Sequence, residues 1–137
     1  MPAGWNKWFW MAPRYRLFWG KEYHLPIDSH TAVALCAPRA LLISEGLRDG
    51  FGYTAALEQS YLAAREVYRF LGAADKLAVA AHRGGHKVDW PAILDYMDWQ
   101  FRGTEKKRDY SELKNRDPKR TFSWTTPKTS GDRGLAP

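Results

Sequence analysis

Two side chains in this sequence have the type and placement to move a proton. They are Asp49, within GLRDGFG (residues 46–52), and His86, which closes HRGGH (residues 82–86). An imidazole held by a carboxylate takes a proton from an attacking hydroxyl and returns it to a leaving alcohol, while the carboxylate fixes the tautomer and stabilises the imidazolium. Gly84 and Gly85 free the backbone to carry His86 to a rim. The nucleophile that would complete acyl transfer has no candidate. No Gly-x-Ser-x-Gly turn occurs, and Ser29, Ser44, Ser60, Ser111, Ser123 and Ser130 lack the flanking glycines and strand-turn-helix setting. Cys36, before Ala37-Pro38, reads as a small buried thiol. His82 and His86 are four apart, but the glycines between them oppose the helix that such a metal pair needs, so no metal and no cofactor is expected.

The elements that must position this pair follow from the hydrophobic pattern. Residues 40–45 are a continuous apolar run suited to a parallel strand covered on both faces, and residues 46–52 are a polar, Gly-punctuated loop holding Arg48 and Asp49. From Thr54 the period becomes helical, with Leu57, Tyr61, Ala64, Tyr68 and Leu71 on one face, Glu58, Arg65 and Arg69 opposite, and Gly72 as the stop. Residues 77–81 form the next strand, so strand, helix and strand make a right-handed crossover with the strands parallel and adjacent. A second helix starts near Asp89, tolerates Pro91 in its first turn, gathers Trp90, Ile93, Leu94, Met97 and Phe101 on one face and ends at Gly103. Asp49 thus follows one strand by four residues and His86 follows the other by five. Adjacent strands lie about 4.8 Å apart, within reach of a carboxylate-imidazole hydrogen bond.

The flanks are less regular. Residues 1–23 carry Trp5, Trp8, Phe9, Trp10, Tyr15, Phe18, Trp19 and Tyr23 with no period of two or 3.6, and read as an irregular, largely buried aromatic connection. Leu25-Pro26 marks an extended entry, and Asp28 caps a short helix through about Cys36 that Pro38 stops. His30, just inside that helix, reads as structural, bonding loop backbone. Residues 104–137 hold nine Lys or Arg against five Asp or Glu and lose periodicity, so they read as a basic, polar, solvated tail with disordered-like composition. The expected division is residues 1–103 as a partial α/β domain and 104–137 as that tail.

With 137 residues, 45% hydrophobic composition and seven Trp, the chain is built to bury a core. One cysteine excludes an internal disulfide framework. The net charge of +6 sits mostly in the tail, which mixes both signs and has no folded nucleic-acid reader motif, so nucleic acid is not an expected partner. Lys7, Arg14 and Arg16 break the N-terminal apolar run, so neither a signal peptide nor a membrane span is expected.

Three stretches resemble glucuronoyl esterases: LPIDSHTAVALCAPRALLISEG (residues 25–46), the Asp49-Gly50-Phe51 triplet, and VYRFLGAADKL through HRGGH (residues 67–86). The resemblance implies the C-terminal portion of an α/β-hydrolase fold, with parallel strands and flanking helices. It also implies cleavage of the ester between the glucuronic acid of xylan and lignin alcohols, making a plant cell-wall carbohydrate ester the substrate. By it, His86 matches the triad histidine and Asp49 the acid. Phe51 falls where the family usually has a Trp lining the sugar pocket, an exchange that keeps an aromatic wall but loses an N–H donor. The family's nucleophile motif and oxyanion-stabilising Arg belong to the preceding half, which is expected in cis or in trans; intact members are secreted or periplasmic. The chain alone is expected to be inactive. The alternatives are a fragment of another α/β-hydrolase esterase with a similar C-terminal half, or a non-catalytic domain that binds carbohydrate through Trp5, Trp8, Trp10 and Trp19 or assembles with another chain.

Overall fold

The computed structural model describes residues 12–114 and 119–127. Its centre is a pair of parallel strands, β1 (Leu41–Gly46) and β2 (Leu77–His82), in register from Leu41 opposite Leu77 to Gly46 opposite His82. Around them lie α1 (Ser29–Ala34), α2 (Thr54–Phe70) and α3 (Trp90–Arg102). The strand pair therefore stands between helices as a parallel crossover requires.

Strand alternation divides the core in two. Leu41, Ile43, Leu77 and Val79 point towards α2, where they meet Tyr61, Ala64 and Tyr68, with Val33 and Ala34 of α1 alongside. Ala40, Leu42, Ala78 and Ala80 point the other way, towards Ala92, Tyr96 and Trp99 of α3 and towards Tyr110. Each fully buried Leu or Val side chain contributes about 1.5–3 kcal/mol. The alanines on the second face let α3 approach closely, and the tyrosines fill what remains. Their hydroxyls are satisfied by backbone carbonyls: Tyr68 donates to Arg39 at 2.9 Å, Tyr96 to Lys76 at 2.7 Å and Tyr110 to Ala92 at 2.9 Å.

Helix ends follow the sequence signals closely. Asp28 caps α1, accepting from the Ser29 amide at 2.6 Å, while its own amide donates to Thr31 Oγ1 at 3.3 Å. After α2, Gly72 takes φ +68°, its amide bonds to the Arg69 carbonyl and the Ala73 amide bonds back to Tyr68, a Schellman closure. α1 is shorter than expected, because its last turn loosens into irregular turns from Leu35 onward. His30 faces the Asp28 carboxylate at 3.8 Å and the Trp124 ring at 5.9 Å between centroids, rather than loop backbone.

Four further expectations change. Of the aromatic N-terminal stretch, Trp5, Trp8, Phe9 and Trp10 lie outside the described residues. The part from Pro13 to His24 forms two short 3-10 turns with no buried residue, and Trp19 is 64% exposed. Glu58 is buried instead of solvent-facing, while Leu71 is exposed. On α3 the buried stripe is Ala92 and Tyr96, with Trp99 packed beside it, whereas Trp90, Leu94, Met97 and Phe101 stay exposed. The helix has two apolar stripes, and the tyrosine with its hydrogen-bonded hydroxyl takes the sheet.

The fourth change concerns the tail, whose described parts are packed in place of free. The Val79 amide donates to the Tyr110 carbonyl at 2.8 Å, so the tail covers the outer edge of β2. Trp99 stacks on Tyr110 with rings 6° from parallel. Further along, Gln59 donates to the Lys119 carbonyl at 2.9 Å and accepts from Thr121, while buried Glu66 accepts from Thr126 and pairs with Arg120 at 2.5 Å and Arg69 at 3.1 Å. Apart from the local Arg69 pair, those contacts reach across about sixty residues of sequence, which no local pattern could announce. Among the described residues β1 has a strand neighbour on one side only.

Burial alone would raise the Glu66 carboxyl, but hydrogen bonds from Thr126 and Arg120 outweigh it and hold the group below its ordinary 4.5. A folded-state value below the unfolded one means that this clasp stabilises fully above pH 4.5 and fades as pH falls through the lowered value. Glu66→Gln is therefore expected to cost roughly 2 kcal/mol in urea unfolding at neutral pH and to flatten the acid limb of stability. An unchanged acid limb would show that the tail contributes nothing through Glu66.

Candidate active site

The candidate residues sit on the two loops that leave β1 and β2 at the same end, as parallel pairing demands. Their backbones are joined directly. The Leu47 amide donates to the His82 carbonyl at 2.8 Å, and the Arg48 amide donates to the Gly84 carbonyl at 3.0 Å. This extends the ladder past the strands and into the loops. Closeness of that kind has a steric condition: a Cβ on Gly46 would stand 2.1 Å from the Gly85 carbonyl oxygen and 2.9 Å from that of Gly84. Only glycine fits there.

Beyond this junction each loop turns to aim its side chain. The Asp49 amide bonds to the Gly46 carbonyl at 2.9 Å, and Asp49 Oδ1 accepts from the Phe51 amide at 2.9 Å, an Asx-turn that fixes the carboxylate. Opposite, the Lys87 amide bonds to the Gly85 carbonyl at 2.8 Å, closing a tight three-residue turn with His86 at its apex. The result is His86 Nδ1 at 2.8 Å from Asp49 Oδ2. The carboxylate is largely covered, with 14% of its side chain exposed, whereas the His86 ring is 77% exposed. With a carboxylate at Nδ1, that nitrogen carries the proton, and Nε2 is left as the acceptor on the accessible edge of the ring.

The electrostatics agree with this arrangement. The hydrogen bond from His86 first, and that from the Phe51 amide second, hold the Asp49 carboxyl below its ordinary 3.8. Beneath the loop, burial pushes the Glu45 carboxyl up, even though Thr54 donates to it, and the nearby charges of Glu58 and Asp49 push the same way. Glu45 and Glu58 are 8% and 2% exposed.

Phe51 lies beside the pair, its ring centroid 5.3 Å from that of His86 and tilted by 50°, and it is 60% exposed. All three residues singled out in the sequence, Asp49, His86 and Phe51, therefore come together. The serines do not join them. Ser44 lies within β1, Ser29 and Ser60 within helices, and the Ser111 hydroxyl donates to Asp109. Ser130 lies outside the described residues, and none of the described serines bonds to His86. Sequence reasoning missed Glu45, hidden in a run read as apolar, and also His82, whose Nδ1 accepts from the Gly84 amide at 3.1 Å. The repeated histidine in HRGGH was the available signal for the second.

The chain is similar to several known proteins. The family model described as "Glucuronyl esterase, fungi" matches residues 3–72, a span that includes the Asp49 loop and stops before His86. The chain is 31% identical over 115 residues to Carbohydrate esterase MZ0003 of an unknown prokaryotic organism, covering 69% of this chain and 26% of that protein. It is 29% identical over 110 residues to a Multidomain esterase of Ruminococcus flavefaciens, covering 76% of this chain and 14% of that one. Among solved structures it resembles a carbohydrate esterase family 15 glucuronoyl esterase from Caldicellulosiruptor kristjansonii, with TM-score 0.71 and 36% identity over 76% of this chain and 28% of that one. The chain spans about a quarter or less of the length of the curated relatives it matches.

Because only glycine clears the loop junction, Gly46→Ala is expected to part the two loops and lower stability by about 1–3 kcal/mol, the usual cost of overpacking. The Asp49 carboxyl, followed by carbon-13 NMR, should then titrate close to 3.8 in place of below it. As the depressed value is the folded one, the contact with His86 is present above pH 3.8 and lost as pH falls through the lowered value. An Asp49 titration unmoved by the substitution would contradict this account of the junction.

Proposed function

Since this chain belongs to the glucuronyl esterase family, we propose that it is the acid/base portion of an α/β-hydrolase that cleaves a carboxylic ester of glucuronic acid, with a lignin-type alcohol as the leaving group. The observation that carries this reading is the 2.8 Å contact between His86 Nδ1 and Asp49 Oδ2, with Nε2 left on the exposed edge. In the proposed reaction, His86 Nε2 removes the proton from a serine hydroxyl as that oxygen attacks the ester carbonyl. The same proton then passes to the departing alkoxide, and water repeats the sequence to release the acid. Asp49 keeps the proton on Nδ1 and stabilises the imidazolium, remaining ionised throughout. Phe51, exposed beside the ring, supplies an apolar wall for the sugar.

The attacking serine and the oxyanion donors come, in this reading, from a preceding portion of the fold, in cis or as a separate chain. Two features support that. β1 has one free edge among the described residues, and α3, which packs on β1, carries the exposed stripe Trp90, Leu94, Met97 and Phe101. A parallel strand beside β1 and an apolar layer over α3 would satisfy both, since an open strand edge and a wide apolar patch are each unfavourable in water. Without the serine the chain hydrolyses nothing measurable, because loss of the nucleophile alone costs about 10⁶ in turnover in a well-studied serine protease.

Joined to an upstream portion that carries a nucleophile turn, the chain is expected to cleave a methyl glucuronate ester. His86→Ala should abolish that activity, and Asp49→Asn, which keeps shape but loses control of the tautomer, should lower turnover by about 10⁴. Equal activity of the His86→Ala enzyme and its parent would reject the assignment.

A further inference from the structure

We infer that His82 is a positioning residue for the Asp49–His86 pair, acting through the Gly84 amide; this rests on reading that pair as the acid/base machinery. His82 ends β2 and holds both loops at once. Its carbonyl accepts from the Leu47 amide at 2.8 Å, on the acid side, and its ring Nδ1 accepts from the Gly84 amide at 3.1 Å, on the histidine side. Gly84 then passes the constraint back across the site, because its carbonyl accepts from the Arg48 amide at 3.0 Å, one residue before Asp49. The ring lies so close that a Cβ on Gly84 would stand 2.8 Å from Nδ1 and 3.0 Å from Cε1. The glycine therefore answers to the imidazole above it.

Filling space does not account for this side chain. An imidazole accepting at Nδ1 carries its proton on Nε2, and that nitrogen is buried with no hydrogen-bond partner among the described residues. Leucine would occupy much of the same volume without burying an unpaired donor. What leucine lacks is an acceptor two residues before the Gly84 amide. Asparagine has one, in the geometry of an Asx-turn.

The experiment uses the full 137-residue chain and NMR readouts that need no ester cleavage: exchange of the Gly84 amide, the downfield His86 Nδ1–H resonance and the Asp49 carboxyl titration. In His82→Leu the Gly84 amide should exchange about tenfold faster, as expected for one lost neutral hydrogen bond. The His86 resonance should disappear, and Asp49 should titrate nearer its ordinary 3.8. His82→Asn should keep the Gly84 protection and the His86 resonance, with Asp49 losing only the direct effect of the His82 ring on its carboxyl. The inference is overturned if His82→Leu leaves the pair intact, or if His82→Asn fails in the same way as Leu while circular dichroism stays native. Should His82→Leu not fold, Gly84→Ala decides: it must disturb the pair in the natural chain and be tolerated in the His82→Asn background, and equal effects in both would refute the proposal. A completed enzyme that lacks esterase activity while the Leu and Asn variants still differ would reject the esterase reading alone.

Discussion

The absence of one side-chain atom at Gly46 sets the geometry of the candidate site. With a Cβ there only 2.1 Å from the Gly85 carbonyl oxygen, the loops leaving β1 and β2 could not exchange the two hydrogen bonds that continue the strand ladder. Asp49 and His86 are on exposed, Gly-rich segments that would otherwise sample many conformations. Joining their backbones at Leu47 and Arg48 removes most of that freedom before any side chain is placed. The Asx-turn at Asp49 and the tight turn at His86 then have only short distances left to cover.

The same economy of contact appears in the core. The strand pair is clad by tyrosines, of which Tyr68, Tyr96 and Tyr110 place their hydroxyls on carbonyls, and by alanines that let α3 come close. Three glutamates are buried as well, and their surroundings separate them. Glu66 is surrounded by donors from the tail and from Arg69, so it stays ionised easily, whereas Glu45 is pushed up by burial and by neighbouring acids. One carboxylate fastens the tail to α2, and the other lies under the loop that bears the acid of the candidate pair.

The structure is asymmetric about its sheet. The outer edge of β2 is closed by the Tyr110 carbonyl, and both faces of the pair carry helices. Among the described residues, β1 keeps one edge without a strand, and α3 beside it keeps an apolar stripe in water. The two curated relatives are about four and seven times longer than the span they share with this chain.

Much of this was readable from residue order alone. The apolar run, the helical period from Thr54, the second apolar run and the stop at Gly72 gave β1, α2 and β2 within a residue or so, because strand and helix periods and glycine stops are local properties. The juxtaposition of Asp49 and His86 was legible for the same reason: two parallel strands in sequence put their following loops at one end. Residue order could not say which of two apolar stripes on α3 would face the sheet, since Trp90, Leu94, Met97 and Phe101 looked the better core until Tyr96 found the Lys76 carbonyl. Nor could it show that a charged, aperiodic tail docks on Gln59 and Glu66. Short-range pattern therefore determined the elements and the pair of loops. Only tertiary structure decided the buried glutamates, the packed tail and the hydrogen bond from the Gly84 amide to the His82 ring, because each depends on a neighbour brought near by folding and invisible to periodicity.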